Sequence, residues 1–287
     1  MKAFRKPEAA LICLLLSLHL GFLLKINRVG RGAVVEMLTP PNKWCKTGER
    51  AFNFERDATV LVLNMDRDTD RWEKLKESLH EAQIGNVTRV TAYDGHNSDL
   101  IKEIAADFGY KSSRDLQTAF IADYPLKTAT SMKNIALAFS TIRALREWQG
   151  KTEWLLLLED DFEVDPQTLK GNLALKATTT QAEMLWLDYR SAGNTAVGVG
   201  LYLTKGAPLC CTEGLLIHRS IRLILADALA PNSAAIQEFK RSGGFKAGYL
   251  ATTPHTDFIL SFLCYTRVCC SWSPISTRKL HSFQGRL

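Results

Sequence analysis

The chain has 287 residues, 46% of them hydrophobic and 23% charged, which excludes a disordered protein and leaves room for one large domain or two small ones. Its net charge of +6 is mild and its Lys and Arg residues are scattered, with no basic run interleaved with aromatics. That argues against a nucleic-acid partner, while suiting an anionic small substrate such as a nucleotide diphosphate.

In chain order, Lys2, Arg5 and Lys6 precede an apolar stretch from Ala9 to Leu24. As a helix at ~1.5 Å per residue, that stretch reaches roughly 24 Å, close to a thin bilayer core. Lys25, Asn27 and Arg28 follow in place of a small-residue cleavage site. An uncleaved signal-anchor is therefore favoured over a cleaved signal peptide. The expected organisation is a cytosolic tail (1–8), a transmembrane anchor (9–24), a stem with Gly30, Gly32, Pro40 and Pro41 (25–56), and one folded domain (57–287). Flanking charge balances, with Lys25, Arg28 and Arg31 against the three upstream positives, so charge alone does not orient the anchor. Asn86-Val87-Thr88 is a glycosylation acceptor, and six cysteines lie beyond the anchor: Cys45, Cys210, Cys211, Cys264, Cys269 and Cys270. Both features suit a domain in the oxidising lumen of the secretory pathway, in a type II arrangement. A disulfide is expected between the Cys210 region and the 264–270 region, with buried free thiols as the other reading.

From residue 58 the pattern alternates. "ATVLVLN" (58–64) reads as a buried strand, and residues 69–82 as a helix with Trp72, Leu75, Leu79 and Ala82 on one face. "VTRVTAY" (87–93) is a second strand, closed by the turn signal Asp94-Gly95. Residues 98–128 are polar and mostly helical by pattern. A helix over 131–150 follows, with Ile135, Ala138, Ile142, Leu145 and Trp148 as its stripe and Gly150 as its stop. "WLLLLEDDFEVD" (154–165) is a strand buried on both faces that runs into acids, followed by a short helical piece. "EMLWLD" (183–188) is another strand, the glycine-rich 198–208 is a connection, and 214–230 is a strand leading into a helix. An apolar helix over 255–265 and a basic tail complete the chain. Alternating β and α units of this kind predict an α/β domain, a largely parallel sheet with helices on both faces.

Ligands of open α/β sheets bind at the carboxyl ends of the strands. Three such ends carry polar groups: Asn64 to Arg71, Tyr93 to Gly95, and Glu159 to Asp165. Strand spacing would point Glu159 and Asp161 the same way, towards one hard cation such as magnesium or manganese. An ordinary solvated acidic turn is the plain alternative.

In order and spacing, "VLVLNMDRDTDRWEKLKESL", "VTAYDGH", "SMKNIALAFSTIRAL" and "WLLLLEDDFEVD" resemble glycosyltransferase family 25, with a looser match through "EMLWLDY", "EGLLIHRS" and "TPHTDF". That resemblance implies a GT-A-type fold, a UDP-sugar donor (most often UDP-galactose), a glycan or glycoprotein acceptor and a divalent cation, Mn2+ or Mg2+. It also implies a Golgi or endoplasmic reticulum membrane setting. Carried over by position, it implies donor binding by Asn64, Arg67, Arg71, Asp94 and Gly95, and metal binding by Glu159, Asp160 and Asp161. Asp257 becomes the acid beside the acceptor, a catalytic base. The family's Ser-His pair stands here as Ser140-Thr141. A non-catalytic membrane-anchored binding or scaffold protein on the same fold is therefore the alternative. A rival class, the aspartyl-phosphate phosphatases, finds Asp66 and Asp68 in place but Asp70 where Thr or Val belongs.

Overall fold

The computed structural model describes residues 52–123, 129–163, 169, 182–187, 190–191, 209–210, 213–241, 256–268 and 270–272. The expected tail, anchor, most of the stem, the helical piece after the acids and the connection at 198–208 lie outside the described residues. Among the described residues no helix is long and apolar enough to cross a membrane.

The central sheet has six strands: β1 (Ala58–Asn64), β2 (Val87–Thr91), β3 (Trp154–Glu159), β4 (Met184–Trp186), β7 (Gly214–His218) and β8 (Cys270–Trp272), in the spatial order β2-β1-β3-β7-β4-β8. A separate antiparallel pair joins β5 (Arg190–Ser191) to β6 (Leu209–Cys210). In the main sheet, β1 is parallel to β2 and β3, and β4 is parallel to β8. The expectation of a largely parallel sheet holds with one correction. β7 is antiparallel to both of its neighbours, β3 and β4. A buried apolar run such as "GLLI" carries no signal of strand direction, so this reversal is invisible to pattern reading.

Both faces of the sheet are covered, and the strands show it residue by residue. On β1, Val60 and Val62 pack into one core while Leu61 and Leu63 pack into the other. On β3, Trp154, Leu156 and Leu158 join the first core, and Leu155 and Leu157 the second. The first core lies under α1 (Thr69–Glu81), through Leu75 and Leu79. The second lies under a larger helical layer: α2 (Leu100–Phe108), α3 (Ser113–Asp123), α4 (Ala129–Trp148), α5 (Arg222–Leu229), α6 (Ala234–Arg241) and α7 (Thr256–Thr266). Five consecutive β3 residues from Trp154 to Leu158 are buried. Full burial of each contributes ~2 kcal/mol against water, on the order of 10 kcal/mol in all, as an upper estimate. β3 is thus firmly held, and the acids that follow it inherit a fixed starting point.

Several boundaries differ from the pattern. The polar segment 98–128 holds two helices, α2 and α3, parted at Gly109, whose φ of +70° forms a left-handed cap. β2 stops at Thr91, two residues earlier than expected, and a 3-10 turn (Arg219–Ile221) separates β7 from α5. Packing begins before the expected end of the stem: Phe52 meets Trp154 edge-on, with ring centroids 6.0 Å apart.

One disulfide joins cysteines of the 264–270 region, while Cys211 and Cys269, which bear on the expected tie to the Cys210 region, lie outside the described residues. Cys264 in α7 bonds Cys270 at the start of β8, with Cα atoms 5.4 Å apart, so the bond lies within the 264–270 region. The chain reverses between helix and strand there, which brings the two Cα atoms within bonding range across six positions.

Candidate functional site

Two polar constellations form at the carboxyl ends of β1, β2 and β3. The first centres on Asn64, the last residue of β1 and almost wholly buried. Its Nδ2 donates to Asp160 Oδ2 at 2.7 Å and to the carbonyl of Asp68 at 2.8 Å. Its Oδ1 accepts from Arg89 Nε at 2.6 Å. Every hydrogen-bonding side of this amide except one lone pair is used. Asp160 is reached from a second direction by Arg71, in the first turns of α1, at 3.5 Å. Burial pushes the Asp160 carboxyl above its ordinary range; the Asn64 hydrogen bond and Arg71 oppose that shift without cancelling it. A carboxyl held this way at strand ends is the kind of group functional sites are built around.

The acids themselves are arranged differently from a strand. Glu159 ends β3, with its backbone N–H on the carbonyl of Glu213 at 2.7 Å. Asp160 and Asp161 form a turn, closed by the Phe162 N–H on the Glu159 carbonyl at 3.0 Å. The two-residue alternation therefore ends at Glu159, and strand spacing does not relate Glu159 to Asp161. Among the described residues no three His, Cys, Asp or Glu side chains are grouped to hold a metal ion. The turn is nevertheless anchored. The Phe162 ring lies over Gly214, where an added Cβ would come within 2.6 Å of it.

The second constellation is a cleft of about 580 Å³ between the ends of β1 and β2 and helices α2 and α4. Arg67, on the loop after β1, forms an ion pair with Asp94 after β2. Asp94 also accepts from the His96 N–H at 2.8 Å, which shapes the turn. Gly95 is needed there for space: a Cβ would lie 2.7 Å from the Lys133 Cα of α4. Ser140 of α4 completes the support, accepting from the Tyr93 N–H at 2.9 Å while donating to the carbonyl of Ala136. Thr141, which stands where the resembled family has histidine, is buried and donates to the Leu137 carbonyl of its own helix.

The fold thus gathers Asn64, Arg71 and Asp160 at one node, and Arg67, Asp94 and Gly95 in the adjoining cleft. Asp257 sits in the first turn of α7, and none of the hydrogen bonds uniting these two groups reaches it. Asp66, the residue a phosphatase nucleophile would occupy, accepts from Arg89 at 2.8 Å and from Thr91 at 3.4 Å on one carboxylate oxygen, Oδ1. Three contributors escape pattern reading: Arg89, Asp107 and Arg143. Arg89 could have been suspected as a charge within the strand "VTRVT"; the other two look like ordinary helix residues.

No family model and no curated protein matches the chain. Among solved structures it is similar to a glycosyltransferase involved in the glycosylation of the major capsid of PBCV-1, at 11% identity and a TM-score of 0.39, over 76% of this chain and 81% of that one.

Proposed function

We propose that the chain is a glycosyltransferase with a GT-A-type domain that moves a hexose, with galactose as the leading choice, from a UDP-sugar to a glycan or glycoprotein acceptor. The observation that carries this reading is the ligand-sized polar cleft at the carboxyl ends of β1 and β2, with the Asp160–Asn64 hydrogen bond beside it at the end of β3. Crevices at strand ends are where open α/β sheets take nucleotides.

Glu159, Asp160 and Asp161 offer hard oxygen donors of the type manganese and magnesium accept. Burial raises the Asp160 carboxyl, and a divalent cation beside it would favour the charged form. When bound, such a cation stabilises the charge that builds on a departing diphosphate. The chain's own groups do the remaining work. Arg71 and Asn64 hold Asp160 in place, and the Arg67–Asp94 pair braces the donor cleft. Asp257 is assigned as the base that takes the acceptor hydroxyl proton during transfer with inversion.

The membrane setting belongs to the same proposal: a type II protein of the Golgi or endoplasmic reticulum, anchored through residues 9–24. Asn86 is exposed in a left-handed turn, open to glycosylation in the lumen.

The deciding experiment is titration of the full-length chain in detergent micelles with UDP, with and without manganese, on wild type and on Asp160→Asn. Manganese-dependent binding that the substitution weakens by roughly a hundredfold supports the reading. UDP binding indifferent to both overturns the metal role. Absence of UDP binding turns the reading to the binding-protein alternative, which the non-histidine Thr141 and the lack of a three-acid group among the described residues favour.

A further inference from the structure

The cleft beside β2 is strongly charged along its lining. Four acids, Asp66, Asp94, Glu103 and Asp107, line it against two arginines, Arg67 and Arg143. Both arginines are already paired, with Asp94 and Asp107. Such a lining repels phosphate and favours an uncharged group that can exchange hydrogen bonds. Strand order sets the distance. β2, β1 and β3 are successive neighbours, so the β2 end lies across β1 from Asp160. At roughly 4.8 Å per strand that separation is about 10 Å. A nucleoside diphosphate with its phosphates at Asp160 can span this gap and bring its base to the cleft beside β2.

The wall it meets is rigid. Arg143 Nη1 donates to the carbonyl of Thr91 at 2.7 Å, and its Nη2 pairs with Asp107 Oδ2. The guanidinium lies 4.0 Å over the Tyr93 ring centroid. The Tyr93 hydroxyl donates to the same Asp107 oxygen. These contacts leave Arg143 with further N–H groups and Asp107 with Oδ1, a donor beside an acceptor in fixed orientation. That is the complement of a base edge on which a carbonyl stands next to an N–H.

We infer that Asp107 and Arg143 read the edge of the donor's nucleobase and select uracil, with N3–H on Asp107 and O4 on Arg143. This rests on the nucleotide-sugar reading and adds a base-selecting pair to it. Neither residue reacts; they are specificity residues. A site built to bind an N–H rejects an analogue that lacks it, because its own polar groups are left unpaired.

The test is titration of the full-length chain in detergent micelles with UDP, CDP and N3-methyl-UDP, in which the N3 proton is replaced. CDP and N3-methyl-UDP should bind more weakly than UDP by roughly ten- to hundredfold. Asp107→Asn should narrow the gap between UDP and CDP, because its amide can donate to cytosine N3. Equal binding of UDP and N3-methyl-UDP overturns the inference while leaving UDP binding itself intact. Failure of UDP to bind at all overturns both readings. The ligand series needs no substitution, so it can overturn the inference even if Asp107→Asn does not fold.

Discussion

Asn64 and Asp160 stand 96 positions apart in sequence and are joined by a 2.7 Å hydrogen bond across the ends of two neighbouring strands. The same amide holds the Asp68 carbonyl and the Arg89 side chain. Replacing it removes one partner at once from the Asp160 carboxyl, the Asp68 carbonyl and the Arg89 guanidinium. Asn64→Ala should therefore destabilise the fold by about 2–4 kcal/mol, since a buried group deprived of its partner carries its full desolvation cost. Urea unfolding followed by circular dichroism measures this directly. A change below about 0.5 kcal/mol, the level of an ordinary surface substitution, would show that water replaces the amide at no cost.

Asp160 has a predictable pH signature. Its carboxyl is raised in the folded protein, chiefly by burial. The folded state then binds a proton more readily than the unfolded chain, so this group's contribution to stability falls as pH rises from the ordinary carboxylate range through the raised value. Asp160→Asn keeps an acceptor for Asn64 and carries no charge. The variant should melt higher than wild type at neutral pH and lose that advantage below about pH 3, where the wild-type carboxyl is largely protonated in both states. Asp57 works in the opposite direction, lowered chiefly by its hydrogen bond from Arg56, but it is common to both proteins and cancels in the comparison. Thermal melts at matched pH values check the crossing.

Gly95 tests how closely the turn after β2 must approach α4. A Cβ there meets Lys133 backbone at 2.7 Å and 2.9 Å, and a helix backbone cannot rotate aside as a side chain can. Gly95→Ala should cost about 1–3 kcal/mol and displace the Asp94 turn. Any ligand of the cleft should bind it less tightly than it binds a comparably destabilised variant elsewhere, such as Leu79→Ala under α1.

The Cys264–Cys270 bond closes a short loop between α7 and β8. Alkylation without reductant should leave both residues unlabelled, and reduction should lower stability by about 2 kcal/mol, as expected for a loop this small. Mass spectrometry of the two forms, paired with their melting temperatures, gives both readings.

How much of this was legible in the sequence depends on the range of the interaction. β1, β3 and the long helix α4 announce themselves through local period, because a buried strand and an amphipathic helix need their apolar residues at fixed spacing. Asn64, Arg71 and Asp160 were found as strand-end polar residues, and the fold joins them. What the pattern could not say is that Asp160, and not the pair Glu159 and Asp161, faces Asn64; that depends on where strand geometry gives way to a turn. The Arg143–Asp107 pair was equally hidden, since it arises only when α4 crosses the end of β2 and meets α2. The antiparallel sense of β7 and the short β8 likewise rest on long-range pairing rather than on local composition.

The position of β7 has a consequence for how the chain is born. β1, β2 and β3 pair among themselves, so that half of the sheet can assemble as soon as β3 has left the ribosome. β4 cannot join it. In the main sheet its neighbours are β7 and β8, both synthesised later, and β7 must enter between β3 and β4 to close the gap. Until then the apolar edges of β3 and β4 stand open, a state in which strands readily pair with the wrong partner. Newly made chains should therefore depend on a chaperone between the synthesis of β4 and that of β7, and truncation just before Gly214 should leave a more aggregation-prone product than truncation just after β3.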